Sequence, residues 1–158
     1  MNVFLTVHPL ADTDMEVFTR IATPLVEHKL GWHGLTVVDS KHEADSVVML
    51  TPGRVMRDMF PEFAETRLSV CNMDTREIWV NEDRWMHVVS DASRLPLPAY
   101  RAYILHHELG HALGFGHAQP HTGPAPVMVQ QTLGIGMCTP NPFPIKEEHE
   151  ALRNAHLK

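Results

Sequence analysis

Residues 107–117 spell His-Glu-Leu-Gly-His-Ala-Leu-Gly-Phe-Gly-His, which sets His107, His111 and His117 at fixed spacings around Glu108 and Gly114. On an α-helix a separation of four places His107 and His111 one turn apart on the same face, where both imidazoles can reach a single ion. The helix is bounded in the sequence by Pro98 before it and Gly114 after it, giving an expected span of 99–113. Gly114 can take φ > 0, so the chain can leave the helix abruptly and bring His117 back to the same point. Any fold for this chain must therefore hold one well-packed helix with a sharp reversal at its end.

The residue types in this pattern point to a particular chemistry. Three neutral imidazoles suit zinc and leave its fourth position open for water, the arrangement of a catalytic site and not a structural one. Glu108 is turned about 100° from His107 around the helix axis, so its carboxylate falls beside the ion and can accept a proton from that water. The expected metal ligands are His107, His111 and His117, with Glu108 as catalytic base and hydrolysis of an amide as the reaction. A lone His-x-x-x-His pair is commonly incidental; the added Glu, Gly and third His make this one a metal site. His106 points off the ligand face and is read as structural or supporting. His121 is the nearby substitute for His117, disfavoured because the Gly114 turn already serves His117.

A helix of this kind needs a platform, and the first half of the chain supplies strand and helix patterns for one. Residues 2–7 are β-rich and stop at Pro9, while Met15, Val17, Phe18, Ile21, Leu25, Val26 and Leu30 fall near helical spacing within 13–30. Strands are expected at 33–38 and 46–50, followed by a loop with a short helical turn around Met56 to Phe60. Segments 68–71 and 77–80 flank a five-residue turn and read as a hairpin, which gives a sheet of about five strands. In the candidate helix Leu105, Leu109, Ala112 and Leu113 face away from the ligands, and Tyr100 and Ile104 extend the ligand stripe, so it is apolar on both sides. Beyond Gly116, six prolines from Pro120 to Pro144 forbid long regular elements, until 146–157 forms a short terminal helix with Ile145, His149, Leu152 and one of His156 or Leu157 inward.

Composition removes several partners. The 158 residues, 44% hydrophobic and 20% charged, suit one globular domain, divided here into an N-terminal part (1–116) and a C-terminal part (117–158). With 13 Lys+Arg against 19 Asp+Glu and no basic run, nucleic acid is not an expected partner. No stretch reaches the roughly 18 apolar residues of a membrane span, and a monomer is expected. The N-terminus has no signal-peptide pattern, so the literal reading is cytoplasmic; a catalytic domain excised from a secreted precursor would carry the same sequence. Cys71 and Cys138 are compatible with two free thiols or with one disulfide. Twelve histidines is the compositional oddity, and most of them have no role in the motif.

The string from His107 to His117 resembles the metzincin clan of zinc peptidases, whose long motif is followed by a methionine-bearing turn. Met128, within Ala125-Pro126-Val127-Met128, is the best match for that residue, which in the clan lies beneath the ligands without binding metal; Met137 is the competitor. From about Val70 to Pro144 the chain is similar to an actinobacterial metzincin-like family carried as DUF3152, through 81–85, 126–134 and 136–142. The resemblance implies an α+β fold: a twisted mixed sheet of about five strands, a backing helix, the active-site helix, and an irregular C-terminal subdomain ending in a short helix. It also implies a peptide substrate added to the sheet's edge, for which the candidate strand is Ile78, Trp79 and Val80. No tyrosine follows Met128, so the tyrosine helper of some metzincins is not expected. Zinc-dependent endopeptidase is the implied function; the alternatives are a zinc-bearing peptide-binding module and a zinc amidase acting on a non-protein amide.

Overall fold

A computed structural model describes residues 1–87 and 92–157. Four parallel strands and one antiparallel strand form the main sheet: β1 (Asn2–Val7), β2 (Thr36–Val38), β3 (Ser46–Thr51), β4 (Val70–Asn72) and β5 (Glu77–Asn81). Their order is β2-β1-β3-β5-β4, with β4 antiparallel to β5 at one edge. The register aligns Leu5 with Val48 and Val48 with Ile78, so apolar residues form a continuous row on one face. Val3, Leu5, Val48, Leu50, Ile78 and Val80 are all buried there.

Two helices cover that row. α1 (Met15–Val26) packs on β1, and α4 (Leu97–Ala112) packs on β4 and β5 and against α1. α1 ends sooner than its apolar spacing suggests, because Pro24 sits near its end and His28 accepts the Gly31 N–H in a separate turn. β2 starts at Thr36, not His33, since Gly34 at φ 80° turns the chain before the strand. The short helical turn expected around Met56 to Phe60 is a two-turn helix that starts earlier, α2 (Gly53–Met59), and α3 (Glu82–Met86) follows β5 directly, with the Asn81 side chain accepting the Asp83 N–H as its cap.

The C-terminal part is irregular except for β6 (Thr122–Pro124) paired with β7 (Met137–Thr139), and α5 (Lys146–His156). α4 lies between this part and the sheet, and Leu105 and Leu109 are fully enclosed. Of the residues expected inward, Leu152 is buried, Ile145 and His149 are half-buried, and His156 and Leu157 are exposed at the helix end, while the carboxylate of Glu148 is buried instead. Among the described residues no helix is long and apolar enough to cross a membrane. Both cysteines are free.

Candidate metal centre and catalytic cleft

α4 ends as the sequence suggests, in a glycine-closed turn. The Gly114 N–H donates to the His111 carbonyl and the Phe115 N–H to the Gly110 carbonyl, each at 2.9 Å, with Gly114 at φ 100°. This pair of bonds is the Schellman closure, and it requires a left-handed residue at that position. The turn also serves the site, because the Phe115 carbonyl accepts from His111 Nδ1 at 2.7 Å while the Phe115 ring stacks on Trp32 at 4.9 Å.

His107 is held in the same manner, its Nδ1 bonded to the Val127 carbonyl at 2.7 Å. Carbonyl oxygens only accept, so the proton of both rings sits on Nδ1 and the Nε2 lone pairs are left for a cation. Burial pushes His107 down to about 3 against the pull of that hydrogen bond, and it also lowers His111 and His117. The three rings are therefore neutral at ordinary pH, as metal ligands must be. Their ligand atoms lie within 4.8 Å of one another, and His111 Nε2 is 3.1 Å from His117 Nε2. That separation is close to the roughly 3.3 Å edge of a tetrahedron built on zinc–nitrogen bonds of about 2.0–2.1 Å. The donor set fits the ion that the spacing implies.

Met128 is buried against the helix that carries His107 and His111, and Gly110 makes room for it. A Cβ on Gly110 would lie 2.2 Å from Met128 Sδ and 3.1 Å from the Trp32 ring. The turn at 126–129 also steadies the third ligand, since the Met128 carbonyl accepts the Ala118 N–H at 3.0 Å, one residue past His117. Glu148 of α5 fixes the turn from the other side, its carboxylate accepting the Val127, Met128 and Ile145 N–H groups at 3.0, 2.9 and 2.9 Å. Burial raises the Glu148 carboxyl, and the three amides pull it back. Neither Gly110 nor Glu148 was singled out in the sequence; a glycine inside a helix was the available sign of a close approach.

Glu108 lies in the cleft beside the three rings, and burial pushes its carboxyl up to about 8. The cleft, about 240 Å³, runs between α4 and the segment 68–71. Its polar walls are mostly committed. The Tyr103 hydroxyl donates to the Val129 carbonyl and accepts the Gln131 N–H, Tyr100 bonds Thr132 at 2.7 Å, Ser69 accepts the Asn81 N–H, and Arg84 donates to the Thr66 carbonyl. Gln130, two residues after Met128, also lines the cleft, and its side chain makes no hydrogen bond to another described residue.

Three other sequence expectations meet the geometry here. The edge strand is corrected: Ile78, Trp79 and Val80 lie in β5, which is paired on both sides, and the strand bordering the cleft is β4. β5 is interior because its alternating Ile78 and Val80 fill the core, whereas the half-exposed β4 closes the sheet. His106 is structural, fully buried with Nε2 donating to the Leu25 carbonyl at 2.8 Å and its ring packed against Gly31. His121 stands outside the ligand cluster. Cys71 on β4 reaches the cleft, where burial, with the Glu108 charge adding to it, pushes its thiol up to about 12.

A mixed five-stranded sheet with helices packed on it, one of them carrying the long histidine motif, gives the chain a metzincin-like fold. The fold is similar to the crystal structure of archaemetzincin from Methanopyrus kandleri, with a TM-score of 0.64 and 17% sequence identity over 100% of this chain and 96% of that one. The family described as "Protein of unknown function (DUF3152)" matches residues 21–150, and the chain belongs to it. No curated protein sequence gives a significant match.

Proposed function

We propose that this chain is a zinc-dependent endopeptidase. His107, His111 and His117 would hold the ion through Nε2, and when bound it supplies Lewis acidity and the acidification of water at neutral pH. The observation that carries the reading is Glu108, a buried carboxylate opening into the same cleft as three imidazoles, two of which, His107 and His111, already have Nδ1 committed to a carbonyl. A purely structural metal site has no use for such a group. Glu108, kept ionised against the upward push of burial by the cation that the three histidines would hold, accepts a proton from the attacking water and delivers it to the leaving amine nitrogen. The unpaired side of β4 offers main-chain groups along the cleft to an extended peptide. Phe63, Leu68, Val70 and Ile104 give that cleft an apolar lining that favours a large apolar side chain and keeps water from the reacting bond.

The test is Glu108→Ala in zinc-loaded protein presented with a mixed peptide library. It should keep one zinc per chain and lose hydrolysis by roughly 10²- to 10⁴-fold, the usual contribution of a general base. Equal turnover in parent and variant would remove Glu108 from its role. A parent that cuts no peptide would turn the reading toward a binding module or an amidase.

A further inference from the structure

The metal centre uses three of the twelve histidines, and three more meet elsewhere. His33, His121 and His149 line a second groove of about 690 Å³, larger than the catalytic cleft, between the turn preceding β2, strand β6 and the start of α5. Lys29, Lys146 and Arg153 stand around it, against the single carboxylate of Glu147 among its lining residues. On a chain of net charge -6 this is a local reversal of sign. Lys146 has a partner in Glu150 at 3.7 Å, while Lys29 and Arg153 form no ion pair with any described residue.

The groove is shaped as well as charged. His149 stacks on His33 at 4.3 Å and stands edge-on to Trp32, so the imidazoles are held in place by rings behind them. His149 Nδ1 is buried without a hydrogen-bond partner. Leu30, 53% exposed, with Phe143 and Ile145, gives an apolar floor. β6 forms one wall with all three residues exposed.

We infer that this groove binds an acidic segment of a polypeptide that also carries apolar side chains. Two separated cations without an ion pair, Lys29 and Arg153, match spaced carboxylates, and the apolar floor matches the residues between them. A nucleic acid would need a denser cationic track and would leave the floor uncovered. A single phosphate would fill a small part of the volume. The inference does not depend on turnover at the metal centre, and it is tested apart from it.

The probe is a fluorescein-labelled peptide of repeated Glu-Leu-Glu-Gly, titrated by fluorescence anisotropy with zinc-loaded Glu108→Ala protein so that it is not cut. Saturable binding is expected, weakened by salt and weakened about tenfold when Lys29→Glu and Arg153→Glu are added, both exposed positions that leave the core untouched. Unchanged affinity in the charge-reversed protein would overturn the inference. So would equal binding of a probe with Lys in place of Glu, displacement by RNA homopolymer or inorganic phosphate at lower concentration than by unlabelled peptide, or no saturable binding. Library cleavage by the parent decides the hydrolytic reading separately.

Discussion

At the scale of single residues, the site is made by a few atoms whose neighbours leave them no alternative. Gly110 is the sharpest case. Alanine is the better helix former by about 1 kcal/mol, so Gly110→Ala would be mildly stabilising on an open helix. Here its methyl would overlap Met128 Sδ at 2.2 Å, and overpacking of this kind costs about 1–3 kcal/mol. The variant should therefore unfold at lower denaturant than the parent, and Met128→Ala, destabilising alone through a cavity, should cost less in the Gly110→Ala background. Additive effects in the double-mutant cycle would show that the two residues do not meet. His107, Glu108, His111, Gly114 and His117 were legible in the sequence because their geometry is local, fixed by helical rise and one left-handed residue. Gly110 lies inside the same motif and was not, because what constrains it arrives from position 128 through tertiary packing.

At the scale of elements, the same division between local and distant constraint explains the strand order. The hairpin 68–80 could be read, but which of its strands faces the cleft depends on β3, which pairs with β5 from more than twenty residues upstream. The role of α5 was hidden for the same reason: a terminal amphipathic helix says nothing by itself of where its one buried carboxylate points. Glu148 links this helix to the histidine triad, its carboxylate holding the Val127 and Met128 amides while the Val127 carbonyl holds His107. Glu148→Ala would leave three amides without their acceptor, at about 1–3 kcal/mol for each that stays buried. Two effects are expected together: lower stability of the metal-free protein in urea, and zinc affinity reduced by roughly 10- to 100-fold in chelator competition, the usual cost of losing an outer partner of a ligand. Glu148→Gln keeps one carbonyl oxygen and should recover part of both. A stability loss with unchanged zinc affinity would confine Glu148 to holding the helix.

At the scale of the whole molecule, apolar packing is unevenly distributed, and the histidine triad sits on the boundary. The sheet and the two helices on it bury the row from Val3 to Val80, a core built from apolar side chains. The segment from His117 to Ile145 has two three-residue strands and a small separate cluster of Ala125, Ile135 and Cys138. Its ties to α4 are the Val127 carbonyl on His107, the Met128 side chain against Gly110, and the hydrogen bonds of Tyr103 to Val129 and Gln131 and of Tyr100 to Thr132. An ion shared by His107 and His111 on the helix and His117 beyond it would join the two parts. Binding only the folded state, zinc at about a thousand times its dissociation constant would add about 4 kcal/mol. The gain should not be uniform. Comparing hydrogen exchange with zinc and with a chelator, protection should fall at the amides of Ala118 and of Val127 to Gln131, and stay nearly constant at Val48, Leu50, Ile78 and Val80. If the sheet amides loosen as much as the C-terminal ones, the ion supports the entire fold as one cooperative unit, and the division at the third histidine has no thermodynamic meaning.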